Sequence, residues 1–189
     1  MIRQLLTFIV LGLMTYGLYY FVRKQEKKSL VKRKAQKNYY GELRAKAMNV
    51  TPEILQLKIK DSAKVFGVVM DQNIAGQILT LVAFMTGDAS LYFSSGQMFI
   101  GGFKDKIIVD LAKKLVQKSN AYLSKASLVQ HTEPSTGNKV NFYFLTPQGR
   151  YYIEEEIEKI ENPDAELYEL FLQAHQIIGR FRILEQGAY

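Results

Sequence analysis

The 189-residue chain is 48% apolar and 23% charged and has no cysteine, so it has the composition of a folded protein with one core and lacks disulfides, thiolate nucleophiles and cysteine-ligated metals. Its formal charge of +7 is concentrated in one place. Ten basic residues against two acidic ones lie between Arg23 and Lys46, whereas Ala47 to Tyr189 holds 14 basic and 16 acidic residues and is slightly acidic.

Residues 5–22, LLTFIVLGLMTYGLYYFV, carry no charge. As a helix rising about 1.5 Å per residue they span roughly 27 Å, close to the hydrocarbon thickness of a bilayer. Thr7 and Thr15 can bond back to helix carbonyls, and Tyr16, Tyr19 and Tyr20 gather at the end where amphipathic rings suit the headgroup zone. Tyr, Phe, Val, Arg and Lys follow in place of the small residues of a signal-peptide cleavage site. A buried core helix is rarely apolar on every face. The sequence therefore predicts a transmembrane anchor over 1–22. The excess of positive charge behind it, over a basic juxtamembrane segment 23–50, predicts that the C-terminal part faces the cytoplasm.

Arg23, Lys24, Lys27, Lys28, Lys32, Arg33 and Lys34 are the candidate membrane-surface contacts. Each basic residue near an anionic leaflet gains about 1 kcal/mol. Their role as a topology signal is sufficient, and no specific nucleic acid is expected as a partner.

A domain over 51–189 follows. Thr51-Pro52-Glu53 has the form of a helix start, predicting a short helix over 52–59. Runs at 65–70, 78–85 and 89–94 predict strands, with Asp71-Gln72-Asn73 and Gly87-Asp88 as turns. The glycine-bearing loop Gly96 to Gly102 leads to a helix over 104–124, with Ile107, Ile108, Leu111, Leu115 and Tyr122 on one face. Strands at 127–131 and 140–145 flank Pro134-Ser135-Thr136-Gly137-Asn138, read as a hairpin loop. Thr146-Pro147-Gln148-Gly149 turns the chain into a strand over 150–155. A last helix runs over 163–184.

This order, three strands and a helix twice over, predicts an antiparallel α+β domain. It resembles the roadblock, longin and profilin-like modules, and that likeness implies scaffolding and partner binding. A weak echo between 84–93 and 144–153 raises the question of internal duplication. The segments VFGVVMD at 65–71, TLVAF at 80–84, TGDASLYFSSG at 86–96 and IGG at 100–102 resemble an uncharacterised bacterial protein family. The resemblance implies no activity and no functional residues, only that Gly87-Asp88 and the Gly96 to Gly102 loop belong to its pattern.

Chemistry is sparse in the sequence. Gly96, Gly101 and Gly102, with Asp88, are weak ligand-loop candidates, because glycines before a helix let amides approach a phosphate. The P-loop and dinucleotide fingerprints are absent. His131 and His175 have no partner at metal spacing, the acids Glu154, Glu155, Glu156, Glu158 and Glu161 form a solvated run, and no G-x-S-x-G elbow occurs. No catalytic residue, metal or cofactor is assigned, and the pattern points away from an enzyme. The expectation is a membrane-tethered cytoplasmic interaction or scaffold module, with the lipid bilayer and a protein partner or self-association as its contacts. The alternative is a small-molecule or nucleotide binder, hydrolytic or not, using the 96–102 loop.

Overall fold

A computed structural model describes residues 39–74 and 76–186. They form an α+β fold around one seven-stranded antiparallel sheet. Helix α1 (39–48) precedes strands β1 (Gly67–Ile74), β2 (Gln77–Phe84), β3 (Ala89–Phe93) and β4 (Met98–Phe99). After helix α2 (Lys106–Ser119) come β5 (Ser127–Val129), β6 (Lys139–Thr146), β7 (Gly149–Glu156), α3 (Ile157–Ile160) and α4 (Tyr168–Gln186). The strand order is β4-β3-β2-β1-β6-β7-β5.

The central strands are apolar on both faces because both faces are covered. Val68, Met70, Leu79, Leu81, Val140, Phe142 and Phe144 point to one side and meet α2 and α4. Helix α2 contributes Ile108, Ala112, Leu115 and Val116, the stripe that a 3.6-residue period requires. Helix α4 contributes Leu170, Phe171, Ala174, Ile177, Ile178 and Phe181. On the other side Phe66, Val69, Val82, Tyr143 and Leu145 meet Tyr40, Ala47 and Met48 of α1. The packed body thus reaches upstream of Thr51, into the basic segment.

Several local expectations are corrected. Residues 52–56 form turns and 57–59 take no regular structure, in place of a helix. Gln56 has a left-handed φ of 56° that stops any helix, and Leu55, Leu57 and Ile59 pack on the sheet at a period of two. Asp71-Gln72-Asn73 is not a turn but the continuation of β1; Asp71 is held by Thr80 of β2 and Arg44 of α1, Gln72 meets His175 of α4, and Asn73 accepts from the Gly76 amide. The Gly96 to Gly102 loop contains β4, which forms a hairpin with β3. The helix predicted to 124 ends at Ser119 and continues as a 3-10 turn over Asn120–Lys125, and Ile107, expected on its inner face, is exposed. The last helix starts at Tyr168, after turns over 161–167.

The segment 134–138 is not a hairpin loop, because β5 pairs with β7 and not with β6. It belongs to a crossover that passes β7 on the α1 side of the sheet. This pairing also separates the two halves of the chain: β1 pairs with β2, but its counterpart β5 skips β6. The echo between 84–93 and 144–153 is the likeness of two hairpins, β2-β3 and β6-β7.

Candidate functional site

The antiparallel register places Thr80 opposite Asp71, Asp71 opposite Asn141, and Asn141 opposite Glu154. Directly opposed residues share a face, so these four form a polar row across β2, β1, β6 and β7 on the α1 side. At its centre Asp71 is fully buried. A carboxylate in such a position is expelled or neutralised by its surroundings. Here Arg44 supplies the countercharge: its Nε lies 3.2 and 3.0 Å from the two Asp71 oxygens and its Nη2 donates to Oδ2 at 2.5 Å. The Thr80 hydroxyl donates to Oδ1 at 2.5 Å and lies 2.8 Å from the Tyr40 hydroxyl, which donates in turn to Thr80.

Arg44 also ties the crossover loop down. Its Nη1 donates to the Thr132 carbonyl at 2.5 Å, its guanidinium lies 5.5 Å from the Tyr143 ring centroid, and the Tyr143 hydroxyl donates to the Glu133 carbonyl at 2.5 Å. Burial is the largest single influence on Arg44 and opposes its charge, but the Asp71 hydrogen bonds and the Asp71 charge, with smaller help from Tyr40 and Tyr143, together outweigh it and hold the guanidinium above its ordinary pKa. Burial first, then the Asp71 charge, pushes the Tyr40 hydroxyl up to about 12. Burial raises Tyr143 as well. These phenols stay protonated donors at neutral pH. Arg150 closes the end of α1, donating to the Met48 carbonyl at 2.9 Å and to Asn49 Oδ1 at 2.6 Å, as suits a cation at a helix C-terminus.

Beyond Arg44 the row opens into a cavity of about 460 Å³ under the crossover, lined by His131, Lys139, Asn141, Tyr143, Tyr152 and Glu154 among others. Asn141 Oδ1 is buried there without a hydrogen-bond donor from the described residues. Lys139 donates to Glu154 at 2.5 Å and Tyr152 donates to its other oxygen at 2.5 Å. The lysine, more than the phenol, holds the Glu154 carboxyl below its usual range. Asp71 and Glu154 are therefore each bound to a cation and a hydroxyl, an arrangement that holds segments together.

The residues singled out from the sequence are dispersed. Gly96 turns the β3-β4 hairpin with φ 96°, and Gly101, with φ 95°, precedes the 3-10 turn Gly102–Lys104. Gly102 is required for packing, since a Cβ there would lie 2.8 Å from the Ala89 carbonyl and 2.8 Å from Ile108 Cγ2. Asp88 accepts from the Thr86 hydroxyl at 2.7 Å in the β2-β3 turn. The α2 N-terminus, where a phosphate would sit, is occupied by the chain's own carboxylate: Asp105 accepts from the Ile108 amide at 2.9 Å and pairs with Arg180 at 2.7 Å. Arg180 first, and then that amide, hold Asp105 below the usual carboxylate range.

His131 lines the cavity, whereas His175 lies on the opposite face of the sheet, 2.9 Å from Gln72 Oε1 and against the Phe171 ring. Among the described residues no cluster of His, Asp and Glu has the arrangement of a metal site, and no helix is long and apolar enough to cross a membrane. Arg23, Lys24, Lys27, Lys28, Lys32, Arg33, Lys34 and the apolar stretch 5–22 lie outside the described residues.

Sequence reasoning missed Arg44 and Asp71. Arg44 sits within the stripe Tyr40, Leu43, Ala47, Met48 that faces the sheet, so a charged residue on an otherwise apolar helical face was the available signal. Comparison of the chain with protein families, curated proteins and solved structures returns no match.

Proposed function

We propose that the protein is a single-pass membrane protein whose α+β body is held on the cytoplasmic face as an interaction or scaffold module. The observation that carries this reading is the uncharged run 5–22 followed at once by the basic run beginning at Arg23. The attachment of α1 supports it. The helix in which the basic run ends is fixed to the middle of the sheet by a buried ion pair, so a tether entering through α1 would join the packed body itself. Tethering raises the effective concentration of a weak binding surface near a membrane-bound partner.

The pairing of Asp71, Glu154, Asp105 and His175 within the fold supports a binding role over a reactive one. The order of strands and helices supports a likeness to roadblock, longin and profilin-like modules as analogy alone. The test is photocrosslinking of the full-length chain in cell membranes. A reproducible protein partner or a self-crosslinked species is expected; membranes yielding neither would refute the interaction reading.

A further inference from the structure

The tether reading leaves open which side of the body meets the lipid, and the path of α1 bears on it. Tyr40 reaches Thr80 on β2, Arg44 reaches Asp71 on β1, and the Met48 carbonyl receives Arg150 from β7. Followed backwards, α1 therefore runs across the sheet from β7 towards the β3-β4 edge, and the chain arriving from the basic run joins the body on that side.

The segment just after β4 carries exposed apolar side chains beside lysines. Ile100, Phe103 and Ile107 are 61%, 58% and 50% exposed. Lys104 and Lys106 between them are exposed as well, with Lys104 Nζ 5.9 Å from the Phe103 ring centroid. The end of α4 joins this edge through the Gln97–Glu185 contact at 3.1 Å, next to the exposed Ile183. Asp105, the acid inside the segment, is neutralised by Arg180; Asp110 and Glu185 are the exposed acids nearby. The acidic run Glu154 to Glu161 lies on β7 and α3, towards the opposite edge of the sheet. Apolar side chains interleaved with lysines suit an anionic leaflet, which takes the former at the acyl boundary and attracts the latter at its headgroups.

Resting on the membrane-tether reading, we propose that the β4 edge is a membrane-contact surface: Ile100, Phe103 and Ile107 enter the interface of an anionic leaflet, Lys104 and Lys106 meet its headgroups, and the acidic β7–α3 end points away. The tether delivers this edge to the bilayer, so a small patch is enough to set the orientation.

The chain contains no tryptophan, so F103W reports alone. Ile54, 66% exposed, supplies the control I54W from a segment that lines a groove with Leu128 and Arg150, towards the other edge. Full-length variants are reconstituted into vesicles of phosphatidylcholine with phosphatidylglycerol, with brominated acyl chains as quencher. Emission of F103W is expected to be blue-shifted and quenched severalfold more than that of I54W, and K104E/K106E is expected to reduce the difference. Equal quenching at the two positions in a chain that stays with the vesicles overturns the contact surface and leaves the tether standing. A chain that does not associate with the vesicles at all sinks both.

Discussion

Removing the positive half of the buried pair leaves a carboxylate stranded in the middle of the sheet. In R44M the apolar stem that packs over Tyr143 is kept and the charge is lost. Asp71, fully buried, then keeps, among the described residues, only the Thr80 hydroxyl as donor, and the Thr132 carbonyl loses the guanidinium that holds the crossover. Breaking a buried pair from one side costs about 3–5 kcal/mol. For a body of this size that is a fall in Tm of roughly 6–20 °C. The assay is thermal unfolding of the detergent-solubilised chain followed by tyrosine near-ultraviolet circular dichroism, which reads tertiary packing. The double variant R44M/D71L removes both charges and is expected to be more stable than R44M, because the uncompensated carboxylate is gone. If R44M melts within about 2 °C of the wild type, or if the two substitutions simply add, Arg44 and Asp71 are not the coupled pair described here.

Gly102→Ala, which forces a Cβ to 2.8 Å from the Ala89 carbonyl, is expected to destabilise the body by about 1–3 kcal/mol, read as a lower denaturant midpoint; an unchanged midpoint would show that the contact is loose. The imidazole of His175 is held below its ordinary pKa by burial, with the Glu161 charge acting weakly the other way. The unfolded chain therefore binds the extra proton first as pH falls below about 6.5, and stability drops. Denaturant titrations at pH 7 and pH 5 are expected to show this loss in the wild type and less of it in H175Q; the same pH dependence in both would remove His175 as its source.

Strands and apolar helix faces were legible because their periods are local. The β2 and β3 runs, the β6-β7 turn and the α4 stripe all lie close to where residue pattern puts them. What was not legible depends on distant partners. Asp71-Gln72-Asn73 has turn composition, and only Arg44, Thr80 and His175 brought against it let it remain in a strand. The crossover over 130–138 looks like a hairpin because Pro, Gly and Asn are common to both; the choice of β7 over β6 as partner for β5 is a tertiary matter. Arg44 falls inside the basic run 23–46 by composition, and the local sign that it points inward is the apolar helical face of Tyr40, Leu43, Ala47 and Met48 that it interrupts. The glycine loop illustrates the reverse error: Gly101 and Gly102 sit before a helix as a phosphate loop would, but serve backbone direction and close packing.

The chain has no native cysteine, so a single cysteine in place of the exposed Thr136 of the crossover labels one known surface position. In intact cells T136C is expected to resist a membrane-impermeant maleimide, to react once the membrane is permeabilised, and to stay in the pellet after an alkaline carbonate wash. Labelling in intact cells, or release of the protein into the wash, would contradict a cytoplasmic body held by a spanning helix.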